Sequence, residues 1–291
     1  MKLDARGRIS ILELVVYLPS FVVAAIVCRR HGFGRSSGCV FTLILCLVRI
    51  VGAGCQLATY NDQSSGLLEA TIILDSIGLS PLLLATLGLL ARCADSINQT
   101  SSTQLHMLYF RVIQLLITLG LILSIVGGTS SISSTGVYKV QTTSQVGVIL
   151  YVVTYIALVL MTLGTIFNAT YLPSGEKGFV WAVLIAMPLI LVRLIYSLLL
   201  VFHHDKNFNL LSGSTVIFAV MTVVEEILVV LIYLTLGWMT DAASKAVERP
   251  IESRPWRGTR AVGNGPRGGH AMRRGPIHAL VGLAMDSRRA N

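Results

Sequence analysis

Long apolar stretches separated by short polar loops fill the first 240 residues of the chain. Seven of them are long and apolar enough to form membrane-spanning helices. They lie near residues 9–27, 38–59, 67–91, 106–127, 145–167, 179–202 and 214–238. A helix of about 20 residues crosses the hydrocarbon core of a bilayer, which is about 30 Å thick. Because backbone groups in lipid must be hydrogen-bonded within the segment, each stretch is expected to be helical. The pattern predicts an all-α, polytopic membrane protein, a bundle of seven transmembrane helices embedded in a lipid bilayer.

The composition excludes an ordinary soluble enzyme and a nucleic-acid-binding protein. Hydrophobic residues make up 54% of the 291 residues and charged residues only 13%, about half the charged fraction of a soluble domain. The mean hydropathy is +0.73. The cysteines form no CxxC pair and are expected to pack as small apolar residues. We therefore predict no disulfide framework, no metal site, no cofactor and no nucleic-acid partner.

The last 50 residues differ from the rest of the chain. Ten of the 23 Lys and Arg residues lie in the last 53 positions, among many Gly and Pro residues. Such a segment cannot bury enough apolar surface to fold, so we expect a seven-helix domain over 1–240 and a disordered tail over 241–291. Its basic charge favours contact with anionic lipid.

The distribution of Lys and Arg between the loops predicts the orientation. With the tail included, one side of the membrane carries 15 of these residues and the other carries five. The positive-inside rule then predicts a luminal or external N-terminus and a cytoplasmic C-terminus, with the endoplasmic reticulum as the expected location. Two glycosylation sequons, at Asn98 and Asn168, fall on the cytoplasmic side in this topology.

Eight ionisable groups lie inside the predicted spans, where a charge costs at least about 2.5–3.5 kcal/mol at the bilayer centre. They are Glu13, Arg49, Glu69, Asp75, Arg111, Arg193, Glu225 and Glu226. Three of them, Glu13, Glu69 and Arg111, lie near span ends, where a charged group can reach the interface. The deeper groups indicate either a functional interior or ion pairs that lock the helices together.

The adjacent pair Glu225 and Glu226 is the most distinctive of these groups. Two neighbouring carboxylates in apolar surroundings repel each other, so we expect at least one to keep its proton and to be able to donate it. We predict Glu225, Glu226 and Asp75 as catalytic residues. Prolines at 19, 81 and 188 predict kinks that open an internal cavity.

Further polar and aromatic residues share the helix faces of these charges. Tyr17 lies four residues after Glu13, Tyr196 three after Arg193, and Tyr233 seven after Glu226, all spacings that place side chains on one face. The predicted substrate-binding residues are Glu13, Tyr17, Arg49, Arg193, Tyr196 and Tyr233.

Three short segments carry a resemblance to a known group of proteins. They are ILELVVYLP at 11–19, LSPLLL at 79–84 and VEEIL at 224–228. With them the chain resembles a poorly characterised family of fungal seven-span membrane proteins over about residues 1–240. The resemblance implies a function like that of membrane-bound terpene cyclases of secondary-metabolite (meroterpenoid) biosynthesis, or like that of RTA1-like proteins of lipid and toxin export. No catalytic residue of either group maps onto this sequence.

Two functions therefore stand as hypotheses. The first is a terpene cyclase in which a carboxyl group starts the cyclisation of a prenylated or epoxidised isoprenoid without metal, while aromatic rings stabilise the cation. The alternative is a lipid or toxin transporter or a receptor-like protein, in which the same buried charges line a path. The deep carboxyl pair and the resemblance favour the cyclase.

Overall fold

The computed structural model describes residues 4–31, 37–61, 64–100, 107–129, 141–172, 176–202 and 215–240, and the predicted tail lies outside them. These residues form helices and contain no strand. The helices are α1 (Ala5–His31), α2 (Ser37–Ala58), α3 (Ser65–Ile77), α4 (Leu79–Thr100), α5 (Met107–Thr129), α6 (Thr142–Phe167), α7 (Lys177–Phe202), α8 (Thr215–Phe218) and α9 (Glu225–Met239).

Within the described residues, seven helical stretches are long and apolar enough to cross a bilayer. The third stretch comprises α3 and α4, and the seventh comprises α8 and α9. Large apolar side chains such as Leu12, Val15, Leu160 and Trp181 are exposed on the outside of the bundle. Lipid is the environment that suits such a surface. The predicted seven-helix membrane bundle is confirmed, and the chain is a multi-pass membrane protein.

Successive spans run in opposite directions and pack mainly on their neighbours. The closest helix pairs are α1 with α2 and α5 with α6, and α9 returns to pack on α7 and α1. At the ends of α1 and α9, the Arg30 guanidinium donates to the Trp238 carbonyl at 3.0 Å, and the His31 Nε2 lies 2.9 Å from the Gly237 carbonyl. We call the end of the bundle that holds Ala5 the N-face and the end that holds Met239 the C-face.

Helix α4 is the central element. Its residues from Leu79 to Ile97 are almost all buried, and it contacts α2, α5, α6 and α7. A helix that is apolar on every side is typical of a position enclosed by other helices. It also extends nine residues beyond the predicted span over 67–91, to Thr100. Protein rather than lipid surrounds this extension, so its polar residues find partners there.

The third span is interrupted at Gly78, between α3 and α4. Pro81 has no N–H to offer the carbonyl four residues earlier, which belongs to Ile77. The Ser80 hydroxyl donates to that carbonyl at 3.0 Å and replaces the missing bond. The other two prolines with predicted kinks, Pro19 and Pro188, lie within the uninterrupted helices α1 and α7.

The seventh span is also irregular. A π-helical turn over Ala219–Val224 separates α8 from α9 and ends directly before Glu225. A π turn holds more residues than an α turn, so it changes the direction in which the following side chains point, and such turns are frequent at functional sites. Both interruptions lie beside the same group of buried charges.

Candidate functional site

Arg49 is the centre of a buried ionic cluster. Its Nη1 lies 3.3 Å from the Asp75 Oδ1 and 3.8 Å from the Glu13 Oε1, and its Nη2 donates to the Glu226 carboxylate. Arg49, Glu13 and Glu226 are all buried, and Glu226 is 0% exposed. Four spans thus contribute one charge each to a single contact. The earlier idea that Glu13 reaches the interface is wrong, because its side chain faces Arg49.

The charges of the cluster lie at a common depth. Counted from the N-face end of each span at 1.5 Å per residue, Glu13, Arg49, Asp75, Arg193 and Glu226 are about 12 to 17 Å deep. That depth is near the middle of a bilayer core about 30 Å thick. Charges at this level are expensive unless they pair with one another. Arg49 pairs with the three carboxylates, whereas Arg193 does not.

Arg193 on α7 occupies a different position from Arg49. Its Nη2 donates to the backbone carbonyl of Asp75 at 3.0 Å, and its Nη1 donates to the Ser197 hydroxyl at 3.1 Å. The guanidinium lies 5.9 Å from the centre of the Tyr196 ring. No described carboxylate lies within ion-pair distance of Arg193, and its Nε has no hydrogen-bond partner there. It binds the end of α3, where the interrupted helix exposes its last carbonyls.

Gly78 allows the cluster to form. A Cβ atom built at Gly78 would lie 2.6 Å from the Arg49 Nη2 and 2.9 Å from the Glu226 Oε1. The backbone angles of Gly78 are ordinary helical values, so it is close approach and not conformation that requires a glycine. The missing side chain of Gly78 therefore leaves the space that the Arg49–Glu226 contact fills.

Two small cavities reach the cluster from the N-face. The larger has a volume of about 40 Å³ and the smaller about 20 Å³. The larger is lined by polar groups that include Asp75, Arg193, Tyr151 and several serines, and the smaller by Arg6, Glu13 and Asp75 among others. Asp75 and Phe218 line both cavities. Asp75 thus connects water-sized spaces with the buried Arg49.

The structure brings most of the predicted site residues together, but not all of them. Tyr17 is fully buried on the cluster-facing side of α1, and its hydroxyl has no hydrogen-bond partner among the described residues. Tyr233 lies apart, with its hydroxyl 2.7 Å from the Thr86 hydroxyl. Glu225 is half-buried beside Glu226 and forms no described ion pair. Its partner in the predicted acid pair is held by Arg49.

The two charges predicted near span ends, Glu69 and Arg111, remain outside the cluster. Glu69 is half-buried and Arg111 is exposed. Among the cysteines, four are buried and Cys55 is half-buried, and none forms a disulfide.

A second polar cluster, which the sequence did not predict, lies near the C-face. The Arg92 Nε donates to the Glu176 Oε1 at 3.4 Å, and the Ser96 hydroxyl donates to the other carboxylate oxygen of Glu176. The Arg92 guanidinium stacks 4.5 Å from the centre of the Phe179 ring. Arg92 was missed because the predicted third span ended at residue 91. A charged residue directly after an apolar run, four residues before a serine, was the available signal.

The family of the chain follows from its match over residues 3–243 to DUF7702, a domain of unknown function. The chain belongs to the DUF7702 family. A search of curated proteins gives no match. The matched part of the DUF7702 protein contains all seven spans, both ionic clusters and both cavities.

Proposed function

We propose that this DUF7702 protein is a proton-linked membrane transporter of a small polar solute. The observation that carries the proposal is the position of Asp75. Its side chain lines both N-face cavities, and its carboxylate contacts the Arg49 that binds the fully buried Glu226. A solute or proton that enters from the N-face therefore meets Asp75, which Arg49 connects with the fully buried Glu226.

The interrupted spans support transport. Discontinuous helices near the bilayer midplane form the substrate and ion sites of many transporters, and backbone carbonyls freed at the break take part in binding. Here the break at Gly78 and the π turn over Ala219–Val224 both border the cluster. At such irregular turns a helix can bend while the segments on either side stay packed in the bundle.

The charges of the cluster support coupling to protons. Three carboxyl groups, on Glu13, Asp75 and Glu226, face the one guanidinium group of Arg49. Arg193 is also buried but forms no ion pair with a described carboxylate. An uneven set of charges in a medium of low dielectric constant is costly, and a bound proton removes the excess charge. Carboxyl groups of this kind serve as proton relays in membrane proteins.

The cavities favour a small polar solute. A volume of about 10–15 Å³ suffices for one water molecule, and pockets for drug-sized ligands usually measure about 300–1,000 Å³. The larger cavity, at about 40 Å³, lies between these limits. Its hydroxyl, carboxylate and guanidinium groups suit a ligand of a few polar atoms.

Proton-linked transport can be tested in proteoliposomes that contain an internal pH-sensitive dye. A panel of small monocarboxylates, amino acids and sugars is added outside, and solute-dependent proton movement is recorded. We expect at least one solute to move protons with the wild-type protein. The Asp75→Asn variant should lose this proton movement, because its side chain no longer exchanges a proton.

Glu69→Gln is the matched control, since Glu69 is an acid of the same span that lies outside the cluster. It should retain the proton movement of the wild type. The proposal fails if folded, incorporated protein moves no solute of the panel, or if Asp75→Asn and the wild type move protons equally.

A terpene cyclase remains the second candidate, favoured by one observation. The carboxyl group of Asp75 and the rings of Tyr151, Tyr196 and Phe218 line the same cavity. An acid beside aromatic faces is the arrangement that starts and stabilises a carbocation. Asp75 would protonate an epoxide oxygen or an alkene, and the cation would end by loss of a proton, so the product would be an isomer of the substrate.

Mass spectrometry separates this candidate from transport. Microsomes of yeast that express the chain are incubated with farnesylated phenols and their terminal epoxides. A cyclase gives a new product of unchanged mass, which disappears in Asp75→Asn and, under the original hypothesis, in Glu225→Gln or Glu226→Gln. Absence of any product from folded protein rejects the cyclase.

A further inference from the structure

Arg193 is a buried cation that lines a cavity and forms no ion pair with a described carboxylate. It is 3% exposed, and its described hydrogen bonds go to a backbone carbonyl and a hydroxyl, both neutral groups. Its Nε has no hydrogen-bond partner among the described residues. We propose that Arg193 binds the oxyanion of the solute, so that the ligand class is a small carboxylate or phosphate. This inference rests on the proposed transport function and names its substrate class.

The chemistry of the cavity fits an oxyanion. A guanidinium presents several N–H donors in a planar fork that matches carboxylate and phosphate groups. Hydroxyl groups of Ser124, Ser144 and Tyr151 line the same cavity and can donate to an anion. The Ser197 hydroxyl also lines it, but it donates to the Arg193 carbonyl. The volume of about 40 Å³ has room for a head group of a few atoms in place of a few waters.

Asp75, the acid in the cavity wall, does not prevent an anion from binding there. The Asp75 Oδ1 lies 3.3 Å from the Arg49 Nη1, so its charge is compensated from the α2 side. Arg193 donates a hydrogen bond to the backbone carbonyl of Asp75 and not to its carboxylate. The guanidinium of Arg193 thus lines the α7 side of the cavity without an ion pair to a described carboxylate.

Binding of an anion brings one negative charge into the cluster, and uptake of one proton by a carboxyl group restores the balance. The affinity for the anion should therefore fall as the pH rises. The charged and titratable groups that face this region come from six spans. They are Arg6, Glu13 and Tyr17 from α1, Cys46 and Arg49 from α2, Asp75 from α3, Tyr151 from α6, Arg193 and Tyr196 from α7, and Glu225 and Glu226 from the seventh span.

Direct binding tests the proposal without any transport. Purified full-length protein in phosphatidylcholine nanodiscs is titrated with radiolabelled acetate and, separately, with inorganic phosphate. We expect saturable binding of at least one anion, and an affinity that weakens by about tenfold per pH unit where one proton is taken up. Arg193→Gln should weaken binding at least tenfold. Arg193→Lys, which keeps the charge but not the fork, should bind with intermediate affinity.

The control for loss of a cation is Arg111→Gln, because Arg111 is exposed and far from the cavity wall. It should bind both anions as the wild type does. Monodispersity and melting temperature verify that each variant is folded. If Arg193→Gln does not fold, the test is the comparison of Arg193→Lys with the wild type.

The oxyanion can come from a free solute or from a lipid head group, and a second set of nanodiscs distinguishes the two. If phosphatidylglycerol abolishes acetate or phosphate binding, the head group occupies the Arg193 site. If it has no effect, the ligand is a free solute. Both results support an oxyanion site.

Three results would overturn the proposal: no saturable binding of either anion, equal binding by wild type and folded Arg193→Gln, or equal binding by wild type and Arg193→Lys at every pH. A purely structural role of Arg193, as a clamp on the end of α3, predicts the first of these. Because binding is measured without flux, anion binding without transport would contradict only the proposed function. Transport of uncharged solutes alone would contradict only the anion site.

Discussion

The bundle contains two buried ionic clusters, one reached from the N-face and one near the C-face, and they are built differently. At the C-face one guanidinium, of Arg92, pairs with one carboxylate, of Glu176, and stacks on Phe179. In the other cluster one guanidinium, of Arg49, faces three carboxyl groups, and two cavities reach them.

The difference indicates that the two clusters have different roles. The Arg92–Glu176 ion pair, with the Phe179 ring beside it, holds α4 against the start of α7. The cluster around Arg49 is unbalanced, includes a helix break and borders water-sized spaces. We infer that the C-face cluster stabilises the fold and that the Arg49 cluster changes its charge during function.

The largest effect is expected for Arg49→Met. It leaves the carboxyl groups of Glu13, Asp75 and Glu226 without their shared cation. Removal of one partner from a buried ion pair costs about 3–5 kcal/mol. We expect a strongly lowered melting temperature or loss of folded protein on detergent extraction. The Arg111→Met control should melt like the wild type, and equal melting of Arg49→Met would contradict the central role of Arg49.

Arg92→Met should have a smaller effect, because Ser96 still donates to Glu176 after the Arg92–Glu176 ion pair is lost. We expect the free energy of unfolding to fall by about 3 kcal/mol, the low end of the range for a buried pair. Solute-driven proton movement and anion binding should persist at wild-type levels in the folded fraction. Loss of binding with intact folding would erase the distinction between the two clusters.

Gly78→Ala tests the space beneath the Arg49–Glu226 contact. The new methyl group would lie 2.6 Å from the Arg49 Nη2, so the guanidinium must move. Overpacking of this kind costs about 1–3 kcal/mol, and proton movement should fall with it. Gly54→Ala is the matched control, because no atom lies within 4 Å of a Cβ there. It should be neutral or slightly stabilising, by up to about 1 kcal/mol, since alanine favours a helix.

The smallest effect is expected for Tyr233→Phe. Among the described residues, the hydrogen-bond partner of the lost hydroxyl is Thr86, which also donates to the Leu82 carbonyl. A neutral hydrogen bond contributes about 1 kcal/mol. The melting temperature should fall slightly and transport should not change. A large loss of transport with normal melting would return Tyr233 to the substrate-binding group in which the sequence analysis placed it.

Much of the architecture could be predicted from apolar runs alone, because the number and length of transmembrane helices depend on local hydropathy. The third span was the exception. Its predicted end at residue 91 assumed lipid around the helix, whereas α4 is enclosed by other helices and continues to Thr100 with Arg92 and Asp95 buried. The hydropathy of a segment does not show which helix lies in the centre of the bundle.

The chain by itself determined that charges lie within the membrane, since a lone carboxylate or guanidinium in an apolar run is visible in one dimension. It also placed Tyr17 and Glu13 on one helix face through their spacing. Only the tertiary structure decided that Arg49, and not the Glu225–Glu226 pair, is the centre of the cluster. Partner choice depends on distances between helices, and these are set by packing features such as the close approach at Gly78, which no local pattern encodes.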